Sequence, residues 1–176
     1  PYGSRGLIDC DCLQRKCEQS GKQRQQTQYG YGNRQFENTD SLFLKKRRVI
    51  DKGNTEVVAE YIKEMTGADV FRIMPDKEYE KIQDYDELVE LTRIEHENDE
   101  RPTFNGKIND IGKYDTIFIG SPIWWYTFPQ VMYTFLDSYD LNGKTIIPFT
   151  THEGSGLADV VEVLRKYYPN ATVAEG

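Results

Sequence analysis

Three short stretches of this sequence combine residue types that can do more than fold. Lys52-Gly53-Asn54-Thr55 sets a glycine and two side-chain donors at the mouth of a helix-like stretch. Glycine lets the backbone approach an anion, and a helix N-terminus adds amide donors and the positive end of its dipole, so Gly53, Asn54 and Thr55 suit a phosphate. An ordinary N-cap made by Asn54 or Thr55 accounts for the same residues equally well. The second stretch, Gly120 to Pro129, holds both tryptophans, Trp124 and Trp125, with Ile123, Tyr126 and Phe128 between Pro122 and Pro129. Rings in a loop either fill a core or form a platform for a flat aromatic ligand, and two prolines at an exposed loop position favour the platform. The third stretch, Thr150, Thr151, His152, Glu153, Gly154, Ser155 and Gly156, is small and hydroxyl-rich. It can curve around a ring and offer backbone amides. His152-Glu153 also pairs a base with an acid, but no nucleophile or metal-ligand spacing completes a hydrolytic site.

A phosphate cradle, an aromatic wall and an amide-lined rim form a complementary set for a phosphorylated flat heterocycle, and flavin mononucleotide (FMN) fits that description best. A dinucleotide fits less well, because no Gly-x-Gly-x-x-Gly run follows a strand.

The elements around these loops alternate. Asn54 to Thr66 spaces Val57, Val58, Tyr61, Ile62 and Met65 as a helix does, with Gly67 as its stop. Ala68 to Met74 reads as a short strand ended by Pro75. Asp84 to Glu100 predicts a surface helix with Leu88, Leu91 and Ile94 on its apolar face. His96, at the polar end of that helix, reads as a solvated side chain. Tyr114 to Gly120, with Ile117-Phe118-Ile119, is the clearest strand and has the continuous apolar character of one buried on both faces. A helix over Val131 to Tyr139, a strand over Thr145 to Phe149, a helix over Leu157 to Tyr167 and a final strand at Ala171 to Ala174 follow. Strands alternating with helices imply an α/β fold with a parallel sheet, whose ligands gather at the carboxyl ends of the strands.

The chain has 176 residues, enough for one domain. Residues 1–48 carry ten Lys or Arg against five Asp or Glu, whereas residues 49–176 carry twelve against twenty-four. The acidic body argues against nucleic-acid binding. No apolar run has the length of a membrane span, which leads to the expectation of a cytoplasmic protein. Residues 14–40, rich in Gln, Tyr and Gly, lack apolar periodicity and read as disordered or as a sticky partner-binding segment. Cys10, Cys12 and Cys17 all fall before residue 48 and match no common zinc spacing.

With these motifs in order, the chain from Val49 to Gly176 resembles the flavodoxin-like proteins, in particular bacterial members whose second flavin loop reads close to Gly-x-Pro-Ile-Trp-Trp. Gly120 to Trp125 carries that match, as do Gly53-Asn54-Thr55-Glu56, Thr66-Gly67-Ala68-Asp69 and Thr151 to Gly156. The resemblance implies a three-layer fold with a parallel sheet of order 2-1-3-4-5 and FMN at its carboxyl edge. Gly53, Asn54 and Thr55 would hold the phosphate. Pro122, Ile123, Trp124, Trp125 and Tyr126 would line one side of the isoalloxazine, and Thr150, Thr151, His152, Gly154, Ser155 and Gly156 the other. Electron transfer to a redox partner protein or a small-molecule acceptor, or an FMN-dependent oxidoreductase activity, would follow, with no nucleic acid or membrane involved.

Two departures from the family pattern stand out. The family's first strand should precede the phosphate loop, but Ser41 to Arg48 ends in four consecutive bases, and residues 1–48 read as an atypical or artefactual segment outside the fold. One hypothesis is a shifted reading frame: the codons AAT ACT GAT AGC CTA TTT for Asn38 to Phe43, read one base later, give Ile-Leu-Ile-Ala-Tyr-Phe, and a coding sequence using other codons rules it out. The second departure is an expected final helix, absent after Ala174. Together they define an alternative: a flavodoxin-like fragment that no longer retains flavin.

Overall fold

The computed structural model describes residues 3–10, 52–82 and 84–175. Its main sheet has five parallel strands: β1 (Arg5–Asp9), β2 (Asp69–Arg72), β5 (Thr116–Pro122), β6 (Thr145–Thr151) and β7 (Thr172–Val173), in the order β2-β1-β5-β6-β7. Counting only these strands, the order is the 2-1-3-4-5 that the resemblance implies. A separate antiparallel ribbon joins β3 (Met74–Pro75) to β4 (Phe104–Asn105).

The central strand corrects the sequence reading. Arg5–Asp9 falls inside the segment expected to stand outside the fold, yet it pairs with both β2 and β5. Two residues explain why so short a run suffices. Successive side chains of a strand point to opposite faces, and Leu7 and Ile8, both buried, enter the two different apolar clusters of the protein. Ser41 to Arg48, the proposed frame shift at Asn38 to Phe43, and Cys12 and Cys17 lie outside the described residues.

One face of the sheet packs Ile8, Ile117, Ile119 and Ile146 against α2 (Tyr85–Glu97), α3 (Gln130–Ser138) and α4 (Val160–Tyr167), through Leu88, Val131, Met132, Phe135, Leu136, Val160 and Leu164. The other face carries Leu7 beneath Ala59 of α1 (Asn54–Thr66), with Ile62, Phe118 and Phe149 partly buried beside it. Helix α1 stops where the sequence predicts: Gly67 adopts φ 68°, and its N–H donates to the Lys63 carbonyl. Helix α2 starts at Asp84, whose carboxylate accepts from the amides of Asp86 and Glu87 at 2.8 and 3.0 Å.

The orientation of α2 differs from the expected one. Leu88 is buried and Leu91 half-buried, but Ile94 is 39 % exposed, and the buried stripe is Leu88, Thr92 and Glu95. These positions are i, i+4 and i+7, a single helical face. The polar members turn inward because partners wait for them there, as described below.

Tyr168 ties α4 to the end of α3: its buried hydroxyl lies 2.9 Å from each of the Leu136 and Tyr139 carbonyls and donates to them. Burial, then the nearby Asp140, pushes this phenol well above its ordinary 10.0. A raised acid stabilises the fold fully below its unfolded value, and that contribution is lost as pH climbs from there toward the folded value. Tyr168→Phe is therefore expected to lower stability by about 1 kcal/mol at neutral pH and to reduce the loss of stability above about pH 10, both read by urea denaturation across pH.

Candidate functional site

Parallel pairing sets Asp9, the end of β1, opposite Gly120 and Gly120 opposite Phe149, with β5 and β6 continuing together to Pro122 and Thr151. The three chemically suggestive loops leave from this edge or from beside it, and hydrogen bonds join them. The Thr55 and Thr151 hydroxyls lie 2.7 Å apart, linking the first turn of α1 to the end of β6. The Ile123 N–H donates to the Thr151 carbonyl at 3.1 Å, and the Asp159 N–H to the Tyr126 carbonyl at 3.2 Å. The three stretches singled out in the sequence thus form one surface.

At the first loop, neither Asn54 nor Thr55 caps the helix. The N-cap is Gly53, extended at φ −77° and ψ 163°, which has no side chain to serve as a cap. Thr55 is instead buried and turned toward Thr151, while Asn54 is exposed. Two acids that the sequence reading passed over lie close by. Arg72 Nη2 donates to Glu56 Oε1 at 2.6 Å, and its Nε is 3.7 Å from the buried Asp9 carboxylate. Glu56, in the first turn of α1, also complements the helix dipole.

The second loop is a tight reversal. Trp124 and Thr127 exchange backbone hydrogen bonds at 3.0 Å, and Trp125 and Tyr126 between them have φ of 53° and 62°. Two successive left-handed residues are the pattern of a type I′ turn, normally made by Asn-Gly. Bulky side chains there carry backbone strain. Trp125 and Tyr126 stand 39 % and 74 % exposed. Trp124 is half-buried, its ring 6.2 Å from that of Tyr79 and nearly perpendicular to it, while Trp125 Nε1 donates to Thr92 Oγ1 at 3.3 Å. Pro122 belongs to the end of β5, and Ile123 begins the loop.

In the third loop, the Thr150 hydroxyl donates to the Gly156 carbonyl at 2.9 Å, closing the curve, and Gly154 and Gly156 adopt φ of 130° and 61°. Ser155 and His152 are exposed. The Gly154 N–H donates to His152 Nδ1 at 2.9 Å, so the imidazole braces its own loop.

Ser121 was not among the expected site residues. Its hydroxyl is fully buried at the end of β5 and finds no hydrogen-bond partner among the described residues. The only sequence signal was a polar residue between Gly120 and Pro122 in an otherwise apolar strand. Among the described residues no group of His, Cys, Asp or Glu is arranged to hold a metal, and no helix is long and apolar enough to cross a membrane.

The strain at the turn is testable apart from any ligand. Tyr126 is mostly exposed, so Tyr126→Gly removes little packing and relieves a left-handed residue. Thermal unfolding should show a gain of about 0.5–1 kcal/mol.

Comparison with known proteins agrees with this geometry. Residues 49–176 match the Flavodoxin family. A protein from Bacteroides eggerthii DSM 20697 described as a flavoprotein is 34 % identical, with 70 % of this chain and 79 % of that one covered and a TM-score of 0.62. A second such protein, from Bacteroides uniformis ATCC 8492, is 23 % identical over 99 % of this chain and 88 % of that one, with a TM-score of 0.66. A flavoprotein from Lactobacillus acidophilus NCFM, solved in complex with FMN, is 15 % identical over 98 % of this chain and 90 % of that one, with a TM-score of 0.62. No curated protein matches the chain. By its parallel sheet, its joined loops and the match over residues 49–176, the chain belongs to the flavodoxin family.

Proposed function

We propose that this chain binds FMN at the carboxyl edge of its sheet and serves electron transfer or an FMN-dependent oxidation or reduction. The observation that carries the reading is the hydroxyl contact between Thr55 and Thr151, which sets the glycine-capped start of α1 beside the aromatic loop. The FMN complex of the Lactobacillus acidophilus protein supports it. The residues fit the group on three counts: a helix start whose N-cap is a glycine, for a phosphate, an exposed indole for a flat ring, and a buried Ser121 hydroxyl without a partner among the described residues.

Bound FMN supplies the electron or hydride transfer. The residues of the chain bind and orient it. Gly53, Asn54 and Thr55 would hold the phosphate, Trp124 and Trp125 would wall one side of the ring system, and the loop from Thr150 to Gly156 the other. The acidic balance of residues 49–176 suits a basic redox partner protein.

One observation favours a second reading, in which the domain no longer retains flavin. Asp9 and Glu56 are buried carboxylates sharing Arg72 near the start of α1, and like charge there opposes a phosphate dianion.

Titration of the purified chain with FMN and with riboflavin, followed by flavin and tryptophan fluorescence, separates the two readings. Saturable one-to-one quenching by FMN is expected. Replacing both Thr55 and Thr151 by Val should weaken FMN about ten-fold while leaving riboflavin little changed. Trp125→Ala should weaken both ligands, through lost stacking worth about 1 kcal/mol. A folded chain that quenches neither ligand at high micromolar concentration would establish the second reading.

A further inference from the structure

Helix α2 buries a stripe that an amphipathic helix would ordinarily fill with apolar side chains, and two of its three members are polar. Thr92 and Glu95 lie deep, Glu95 only 2 % exposed. Each has a partner that leads to the aromatic loop. Thr92 Oγ1 accepts from Trp125 Nε1 at 3.3 Å. Glu95 accepts from the Tyr79 hydroxyl with both oxygens, at 3.0 Å each, and from Lys77 Nζ at 2.6 Å; the Tyr79 ring then meets Trp124 edge-on at 6.2 Å. Lys77 is further held by Glu100 at 3.0 Å. Burial works against the Lys77 charge, but its bonds to the two glutamates prevail and keep its pKa above the ordinary value.

A buried carboxylate in a helix face is expensive relative to a leucine, and replacing buried polar groups by apolar ones of like volume is often neutral or stabilising. The stripe is therefore poorly explained by stability alone. Its two polar members share one property: each fixes one indole, directly or through Tyr79. The turn they hold has left-handed backbone at Trp125 and Tyr126 and carries both indoles. A wall for a flat ligand binds well only if its rings are already in place, because ordering them on binding costs affinity.

We infer that Thr92, and Glu95 acting through Tyr79, are positioning residues that pre-set Trp124 and Trp125 as the ligand wall. This rests on the flavin reading above for what the wall receives, but the positioning itself is measurable without flavin. Two variants isolate it. Thr92→Val removes the acceptor of the Trp125 indole at nearly constant volume. Tyr79→Phe combined with Glu95→Leu removes both partners of a buried hydrogen bond together, which leaves no unpaired acceptor from that pair, and Lys77 keeps Glu100.

Near-UV circular dichroism and acrylamide quenching of the flavin-free protein report the indoles, thermal unfolding reports the fold, and FMN titration reports the consequence. Both variants are expected to keep or raise the melting temperature, to lose much of the indole dichroism, and to weaken FMN about ten-fold. Thr92→Ser, which restores the hydroxyl, should recover the wild-type spectrum and affinity. Unchanged indole signals overturn the inference. So does a melting temperature that falls in step with the spectrum, since the stripe would then be ordinary structural packing. If wild type binds no FMN while the variants still lose their indole dichroism, the positioning stands and the flavin reading fails.

Discussion

A side chain at position 120 would have to share space with the ring of Phe149: a Cβ built there lies 2.0 Å from Phe149 Cζ. Only glycine lets the two residues sit opposite one another across β5 and β6, and that pairing carries the sheet's register to its carboxyl edge. From it follow the pairing of Pro122 with Thr151, the bond between Ile123 and Thr151, and the reach of Thr151 toward Thr55. The same glycine stands opposite Asp9, the last residue of β1, while β5 and β6 run on to Pro122 and Thr151. The shared surface of the three loops is thus a consequence of strand register more than of any loop's own preference.

Much of this could be read in the sequence because it depends on local signals. The run Ile117-Phe118-Ile119 is long and apolar enough to mark a central strand, Gly67 stops α1, and the Trp-Trp loop and the hydroxyl-rich loop follow strands directly. The first strand could not be read that way. Between Arg5 and Asp9 only Leu7 and Ile8 are strongly apolar, and their value lies in facing two separate clusters, which exists only once β2 and β5 flank them. The cap at α1 was likewise undecidable from side chains, because the residue chosen is Gly53, and what Thr55 does instead depends on a strand that ends ninety-six residues later.

Several places where local rules mislead lie together on α2 and the aromatic loop. Ile94 should be buried by its hydropathy and is 39 % exposed, Thr92 and Glu95 should face water and are buried, and Trp125 and Tyr126 occupy backbone conformations suited to Asn and Gly. Each of these violations touches the aromatic loop or the helix that supports it. Natural sequences depart from local consistency mainly where another requirement competes with folding, and here that requirement is the placement of two indoles. On the α1 face Leu7, Ala59 and Ala68 obey their hydropathy, but α1 also buries Thr55 and Glu56 and leaves Val58, Tyr61 and Met65 exposed.

The position of β1 also sets a constraint on how the chain reaches its fold. The contact between the Ser4 amide and the Asp115 carboxylate spans 111 residues, and β1 must lie between β2 and a strand that comes later in the sequence. Such non-local closure is entropically costly and slow. On a ribosome adding about 5–20 residues per second, roughly 5–20 s separate the emergence of β1 from that of β5. During that interval Leu7 and Ile8 have at most one neighbour available, and the centre of the sheet is completed only after most of the domain has been made. Translation speed and chaperone supply should therefore govern its yield more than its final stability does.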